Sequence, residues 1–155
     1  MTIARTIQLP AGSDFRRLFN RTAIQPGFRL TVDDRACIER LLRKDGTRHA
    51  PNPPLLNGLL RHKLRTSRGA WEPAAPELVV GGRRITYMIS DEDARTSVLS
   101  LSPVPIPGHV LVASLLGATL IGMRKLQKSP LLRDDGQIET VIVLDVDPPQ
   151  SHDTA

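Results

Sequence analysis

Residues 128–146 read KSPLLRDDGQIETVIVLDV. Two strand-like runs, Lys128–Leu132 and Ile138–Val146, flank Asp134-Asp135-Gly136. An Asp-Gly pair between such runs is a tight-turn signal, because the turn needs positive φ, which Gly supplies without strain. The second run, IETVIVLDV, is the most strand-like stretch of the chain, so a β-hairpin is expected here. Pro148-Pro149 closes it, since proline cannot donate to a ladder.

Working upstream, the same texture continues to Glu77. Ser114 is placed to cap a brief helix over Leu115–Met123, with Gly122 near its end,. His109–Val112 reads as a short strand. Arg95–Leu101 alternates around Val98 and the leucines, and Arg83–Ile89 alternates around Ile85, Tyr87 and Ile89,. Ser90–Asp93 turns between those two. An antiparallel sheet carrying one short helix is expected over 77–148.

The preceding segment is helical. Thr31-Val32-Asp33-Asp34 resembles a capping box with Asp in place of the preferred Glu,. Ile38, Leu41 and Leu42 follow at helical spacing up to Asp45-Gly46,. A second helix starts after Asn52-Pro53-Pro54, with proline in its tolerated first turn,. Leu55, Leu56, Leu59, Leu60 and Leu64 form its apolar face as far as Gly69. Two short helices joined by so short a connection predict an antiparallel hairpin over 30–70. Residues 1–29 show little periodicity beyond a short helix over Asp14–Asn20 and read as a flexible extension. Residues 71–76, from Trp71 to Pro76, read as an extended linker on which Trp71 serves packing. The tail 149–155 reads as loose. The fold class is thus α+β.

Composition narrows the function. Aromatic residues make up 3% of the 155 residues, so an aromatic platform for stacking bases is nearly excluded. Cys37 is the only cysteine, which rules out an internal disulfide and a Cys-based zinc site and fits a reducing cytoplasm. No apolar run is long enough to span a membrane, so no membrane partner is expected. Charge is uneven. Residues 1–76 carry 14 Lys/Arg against 6 Asp/Glu, and residues 77–155 carry 7 against 10. The basic half either faces an acidic partner or is a well-solvated helix surface.

Catalytic patterns are thin. His49, His62, His109 and His152 lack metal-ligand spacing,. Gly81-Gly82 precedes a strand rather than opening a helix, and so makes a turn, not a phosphate cradle. Cys37 reads as a small residue facing the helical interior. The acidic pairs Asp91-Glu92-Asp93 and Asp134-Asp135 satisfy turn backbone. No enzyme activity, cofactor or metal is expected.

Residues 112–122, VASLLGATLIG, followed by the hairpin ending at Val141–Val146, resemble the C-terminal domain of Gre-type transcription factors. That family's pattern is a strand, Ser-Pro or a close variant, a short helix ending Leu-Ile-Gly, then a hairpin turning at Gly. The Gly- and Arg-paired start of Val80–Tyr87 matches the family's opening strand, and the likeness covers Leu78–Asp147. With the helical hairpin ahead of it, the arrangement is most similar to the regulator of nucleoside diphosphate kinase subgroup. The resemblance implies an FKBP-like domain gripping the rim of the secondary channel of bacterial RNA polymerase, with the hairpin pointing into or beside that channel.

Departures from the pattern refine this expectation. Cleavage factors of the family carry two acidic residues at a long hairpin's tip, which help hold a magnesium ion. Here the tip offers Asp45 among Arg43, Lys44 and Arg48. A helix of roughly 14 residues reaches only about 20 Å. RNA cleavage is therefore not expected. Leu115 stands where the family has proline, and the family's acidic loop is replaced by the uncharged Ser102–Gly108, SPVPIPG. Its apolar residues either form an exposed binding patch or cover the sheet edge. The expected partner-binding residues are Pro105, Ile106, Pro107, His109, Ser114 and Leu115. The expected function is a cytoplasmic, polymerase-binding regulator that competes with Gre-type factors, with nucleic acid touched only indirectly or weakly. A basic nucleic-acid-binding module is the alternative, with a prolyl isomerase behind it.

Overall fold

Apolar side chains at every second position bury one face of a sheet, and the central strands of the chain follow that pattern. In the computed structural model, which describes residues 27–148, strand β3 (Arg84–Ile89) buries Ile85, Tyr87 and Ile89. The longest strand, β7 (Ile138–Val146), buries Val141, Val143 and Val146. With β4 (Arg95–Ser100), β5 (His109–Leu111) and β6 (Lys128–Leu132) they form a five-stranded sheet in the order β5-β4-β3-β7-β6. The hairpin expected at Asp134-Asp135-Gly136 joins β6 to β7, with Gly136 at φ 88°. The expectations for residues 1–26 and 149–155 lie outside the described residues.

The sheet is not wholly antiparallel, contrary to the expectation from the sequence. Strands β4 and β5 run parallel, with Val98 opposite His109 and Ser100 opposite Leu111. Parallel neighbours ordinarily need a crossover of a dozen or more residues. Here β5 restarts at the level of Val98, so Leu101–Gly108 need only retrace the length of about three residues, roughly 10 Å. Proline at positions 103, 105 and 107 keeps that return extended,.

Helix α1 (Val32–Arg43) is capped by Thr31, whose side chain accepts from the Asp34 amide, and α2 (Pro53–Thr66) by Asn52, which accepts from Leu55. Arg35, near the start of α1, donates to the carbonyls of Leu64 and Ser67 at the end of α2. Thr47, just beyond α1, is buried and bonds Asn57 in the second turn of α2. The short helix α3 (Leu115–Leu120) ends at Leu120 rather than Met123, because the Ile121 cap turns extended and Gly122 takes φ 86°.

The sequence suggested a helical segment and a separate β-rich domain, but a single cluster of buried side chains runs through both. Cys37, Ile38, Leu41, Leu56 and Leu60 belong to the same cluster as Ile85, Leu99, Leu120 and Val143. Two buried charged groups attach the helices. Asp34, 2% exposed, accepts from the Gly81 amide at 3.3 and 3.2 Å through its two oxygens. Burial pushes its carboxyl up to about 6, against the pull of that amide,. Lys63, 3% exposed, donates 2.9 Å bonds to the carbonyls of Thr119 and Ile121 at the end of α3. Its ammonium also lies 3.6 Å from the centre of the Phe28 ring, and burial lowers its pKa to about 7,.

A small parallel pair completes the attachment. Strand β1 (Arg29–Leu30) bonds β2 (Arg68–Gly69), so these residues belong to the fold rather than to an extension. The Arg29 amide also donates to the Gly122 carbonyl at 3.1 Å. A Cβ on Gly122 would come within 3.0 Å of the Arg29 carbonyl oxygen, so glycine answers both the positive φ and the close approach,. Trp71, expected to pack, is 79% exposed. It is neither in the buried core cluster nor among the partly buried side chains packed against that cluster.

Candidate functional site

The residues singled out in the sequence fall around two hollows. The first lies where the end of α1 and the turn after it meet the segment following β4. It has a volume of about 330 Å³ and is lined on one side by Arg40, Lys44, Asp45 and Arg48 and on the other by Leu101, Pro103 and Val104. The expected tip residues Lys44, Asp45 and Arg48 therefore sit beside the proline-rich loop. The reason is the packing of α1: Cys37 and Leu41 are buried, and the Cys37 thiol donates to the Leu101 carbonyl at 3.5 Å.

Local backbone fixes this turn. Asp45 adopts the left-handed region at φ 54°, and the Gly46 amide returns to the Leu41 carbonyl at 2.8 Å, a helix-ending arrangement. Arg43 is exposed on the last turn of α1 and is not among the residues lining the hollow. Burial raises the pKa of Cys37, with Arg40 opposing, so its thiol is held in the inert protonated form,. Among the described residues, Asp45 is the one carboxylate lining the hollow, beside three cations.

The proline-rich loop is an exposed apolar surface. Val104 is 62% and Ile106 39% exposed, with Pro105 and Pro107 exposed around them. The loop leads into β5, which is the edge strand of the sheet. The loop is closed by backbone bonds from His109 to Ile106 and from Val98 to Gly108. The His109 ring packs back on it, with Nδ1 3.1 Å from the Pro107 carbonyl oxygen.

Ser114 and Leu115 lie instead at the second hollow, of about 270 Å³, with Asn52 and Leu56 from α2 and Leu131 and Arg133 from the β6 side. The Ser114 hydroxyl is committed: it donates to the Leu111 carbonyl at 2.6 Å and accepts from the Gly117 amide at 3.0 Å. It caps α3 and offers a partner little. Gly117 has no room for a side chain, because a Cβ there would overlap the Leu111 carbonyl. The six residues expected to bind one partner are thus split between a loop and a helix start.

Sequence reading missed Asp34 and Lys63. Asp34 looked like a cap residue and Lys63 like one more cation on a basic helix, and only its place on the Leu56–Leu60 face hinted at burial. Among the described residues, no three His, Cys, Asp or Glu side chains group to hold a metal, and no helix is long and apolar enough to cross a membrane.

No family profile and no curated protein sequence matches this chain. Solved structures do. A prokaryotic transcription elongation factor GreA/GreB from Nitrosomonas europaea superposes with a TM-score of 0.55 at 14% identity, over 77% of this chain and 98% of that one. The GreA factor homolog 1 protein of Thermus thermophilus aligns over 77% of this chain and 97% of its own, at a TM-score of 0.36 and 14% identity. From the mixed five-stranded sheet, the short Ser-capped helix against it and the first of these superpositions, we conclude that the chain has a Gre-type α+β fold.

Proposed function

We propose that this chain is a non-catalytic regulator that binds bacterial RNA polymerase. The observation that carries the reading is the fold shared with an elongation factor over nearly all of that factor's length. The finer assignments belong to the same proposal: an FKBP-like β-rich part, a short helical hairpin over 30–70, and membership of the regulator of nucleoside diphosphate kinase subgroup. Docking uses the loop Pro105-Ile106-Pro107, whose exposed apolar side chains supply contact area without charged groups to desolvate,. Cleavage of RNA is not part of the function, since Asp45 is the sole carboxylate among Arg40, Lys44 and Arg48 and one acid among three cations holds magnesium poorly.

The test is retention of purified bacterial RNA polymerase on the immobilised full-length chain, with and without a competing cleavage factor. Specific retention, relieved by the competitor, is the expected result. Retention that vanishes at moderate salt and is matched by plain duplex DNA would replace this reading with the nucleic-acid one, for which the exposed Arg61 and Arg65 of α2 are the supporting observation,.

A further inference from the structure

The hollow between α1 and the loop after β4 has features that docking by the exposed loop does not use. Its volume of about 330 Å³ falls within the range of small-molecule pockets, roughly 300–1,000 Å³. Its apolar lining includes Leu41, Leu101 and Val104. Around the opening stand Arg40, Lys44 and Arg48, and none of them pairs with a carboxylate in an ion pair among the described residues.

Cations near the end of a helix are ordinarily explained by the negative end of its dipole. That accounts for Arg43, which is not among the residues lining the hollow, and for part of Arg40 and Lys44. It does not account for Arg48, which lies beyond the helix on the far side of the turn. Three Lys and Arg side chains against the one carboxylate of Asp45 leave an excess of two positive charges over the apolar lining. A matching ligand carries two negative charges at one end and an apolar body at the other. Guanidinium groups favour phosphate-type oxygens, which they bind through paired hydrogen bonds.

We propose that this hollow is a binding site for a small organic dianion of the phosphate-monoester type, with its apolar body against Leu41, Leu101 and Val104 and its anionic group between Arg40 and Arg48. A ligand there would touch α1 and the proline-rich loop at once. The proposal stands independently of polymerase binding.

The experiment is a ¹⁵N NMR titration of the full-length chain at low salt with phenyl phosphate, inorganic phosphate and benzyl alcohol as separate probes. Phenyl phosphate is expected to shift the amides of Gly46, Arg48, Leu101 and Val104 saturably, and to bind at least about tenfold tighter than either fragment alone, as one good charge-assisted contact is worth that much. Arg40→Gln and Arg48→Gln, both at exposed side chains, should each weaken binding by about tenfold with unchanged melting temperature. Arg43→Gln should leave it within about twofold, since Arg43 lies outside the lining and acts only through screened long-range attraction. Absence of saturable shifts up to about 10 mM, a limit weaker than most specific small-ligand sites, would overturn the proposal. So would equal binding of inorganic phosphate, or equal loss in Arg43→Gln.

Discussion

Replacing Lys63 by Met tests whether α2 is held to α3 by a buried ammonium. Methionine keeps the apolar stem and removes the charge, leaving the Thr119 and Ile121 carbonyls without their 2.9 Å donor. Two effects oppose: each orphaned carbonyl costs about 1–3 kcal/mol, while the desolvation cost of the charge disappears. The net change at one pH is therefore a poor test, and the pH dependence is a good one. Burial lowers the Lys63 pKa from 10.5 to about 7 in the fold. Below about 7 the amine is charged in both folded and unfolded chains. Between about 7 and 10.5 the unfolded chain binds a proton that the folded chain does not, so stability rises with pH. The full shift corresponds to about 5 kcal/mol at 1.36 kcal/mol per pH unit. This is an upper bound, because the two carbonyls and the Phe28 ring favour the charged form. Urea unfolding followed by circular dichroism at pH 6.5, 7.5, 8.5 and 9.5 gives the difference between parent and Lys63→Met. That difference should grow in the parent's favour by about 2–3 kcal/mol across the series. A difference flat to within about 0.5 kcal/mol, comparable to the extrapolation error, would mean that burial does not lower the Lys63 pKa and would refute this reasoning.

At the other attachment, Asp34→Ala should cost about 1–3 kcal/mol by orphaning the Gly81 amide, whereas Asp34→Asn, which still offers an oxygen, should cost less. Because burial raises the Asp34 pKa to about 6, its contribution is fully present below about 4 and is lost as pH rises through 6, a trend Asp34→Asn should abolish in the same unfolding assay. Gly117→Ala should fail to fold or lose more than about 3 kcal/mol by thermal melting, since the added methyl meets the Leu111 backbone,. A chain cut before Glu77 should lack a cooperative thermal transition, because the α1–α2 leucines share the sheet's core; a sharp melt would show two independent cores. Ile106→Asp should melt like the parent, its side chain being 39% exposed, yet lose most polymerase retention; undiminished retention would remove the loop from the docking surface.

What the sequence made legible was local. Periodicity of two at Ile85, Tyr87 and Ile89, the Asp135-Gly136 turn and the caps at Thr31 and Ser114 each depend on neighbours a few residues away, and all have structural counterparts. The parallel β4–β5 pair was not legible, because direction depends on how far the Pro103–Pro107 loop doubles back, not on the strands' own residues. The buried ties were hidden for the same reason. Nothing near Asp34 in sequence announces Gly81, and nothing near Lys63 announces Thr119. The candidate site was half visible: residue types at the tip and loop could be read, but their meeting in one hollow, and the separation of Ser114 from Ile106, required the fold.

The attachments of the helices also constrain the order in which the molecule can be made. Asp34 waits for a partner 47 positions downstream and Lys63 for one 56 positions downstream. Arg29, among the first described residues, bonds Gly122 near the other end. At about 5–20 residues per second, 56 residues of synthesis last roughly 3–11 seconds. During that interval α1 and α2 exist with their leucine faces and two uncompensated charges exposed to water. A helix pair of this size is marginal in isolation, so the nascent chain should hold it only loosely until the α3 segment emerges. Translation stalls or truncations between residues 70 and 115 would leave a sticky, protease-sensitive product.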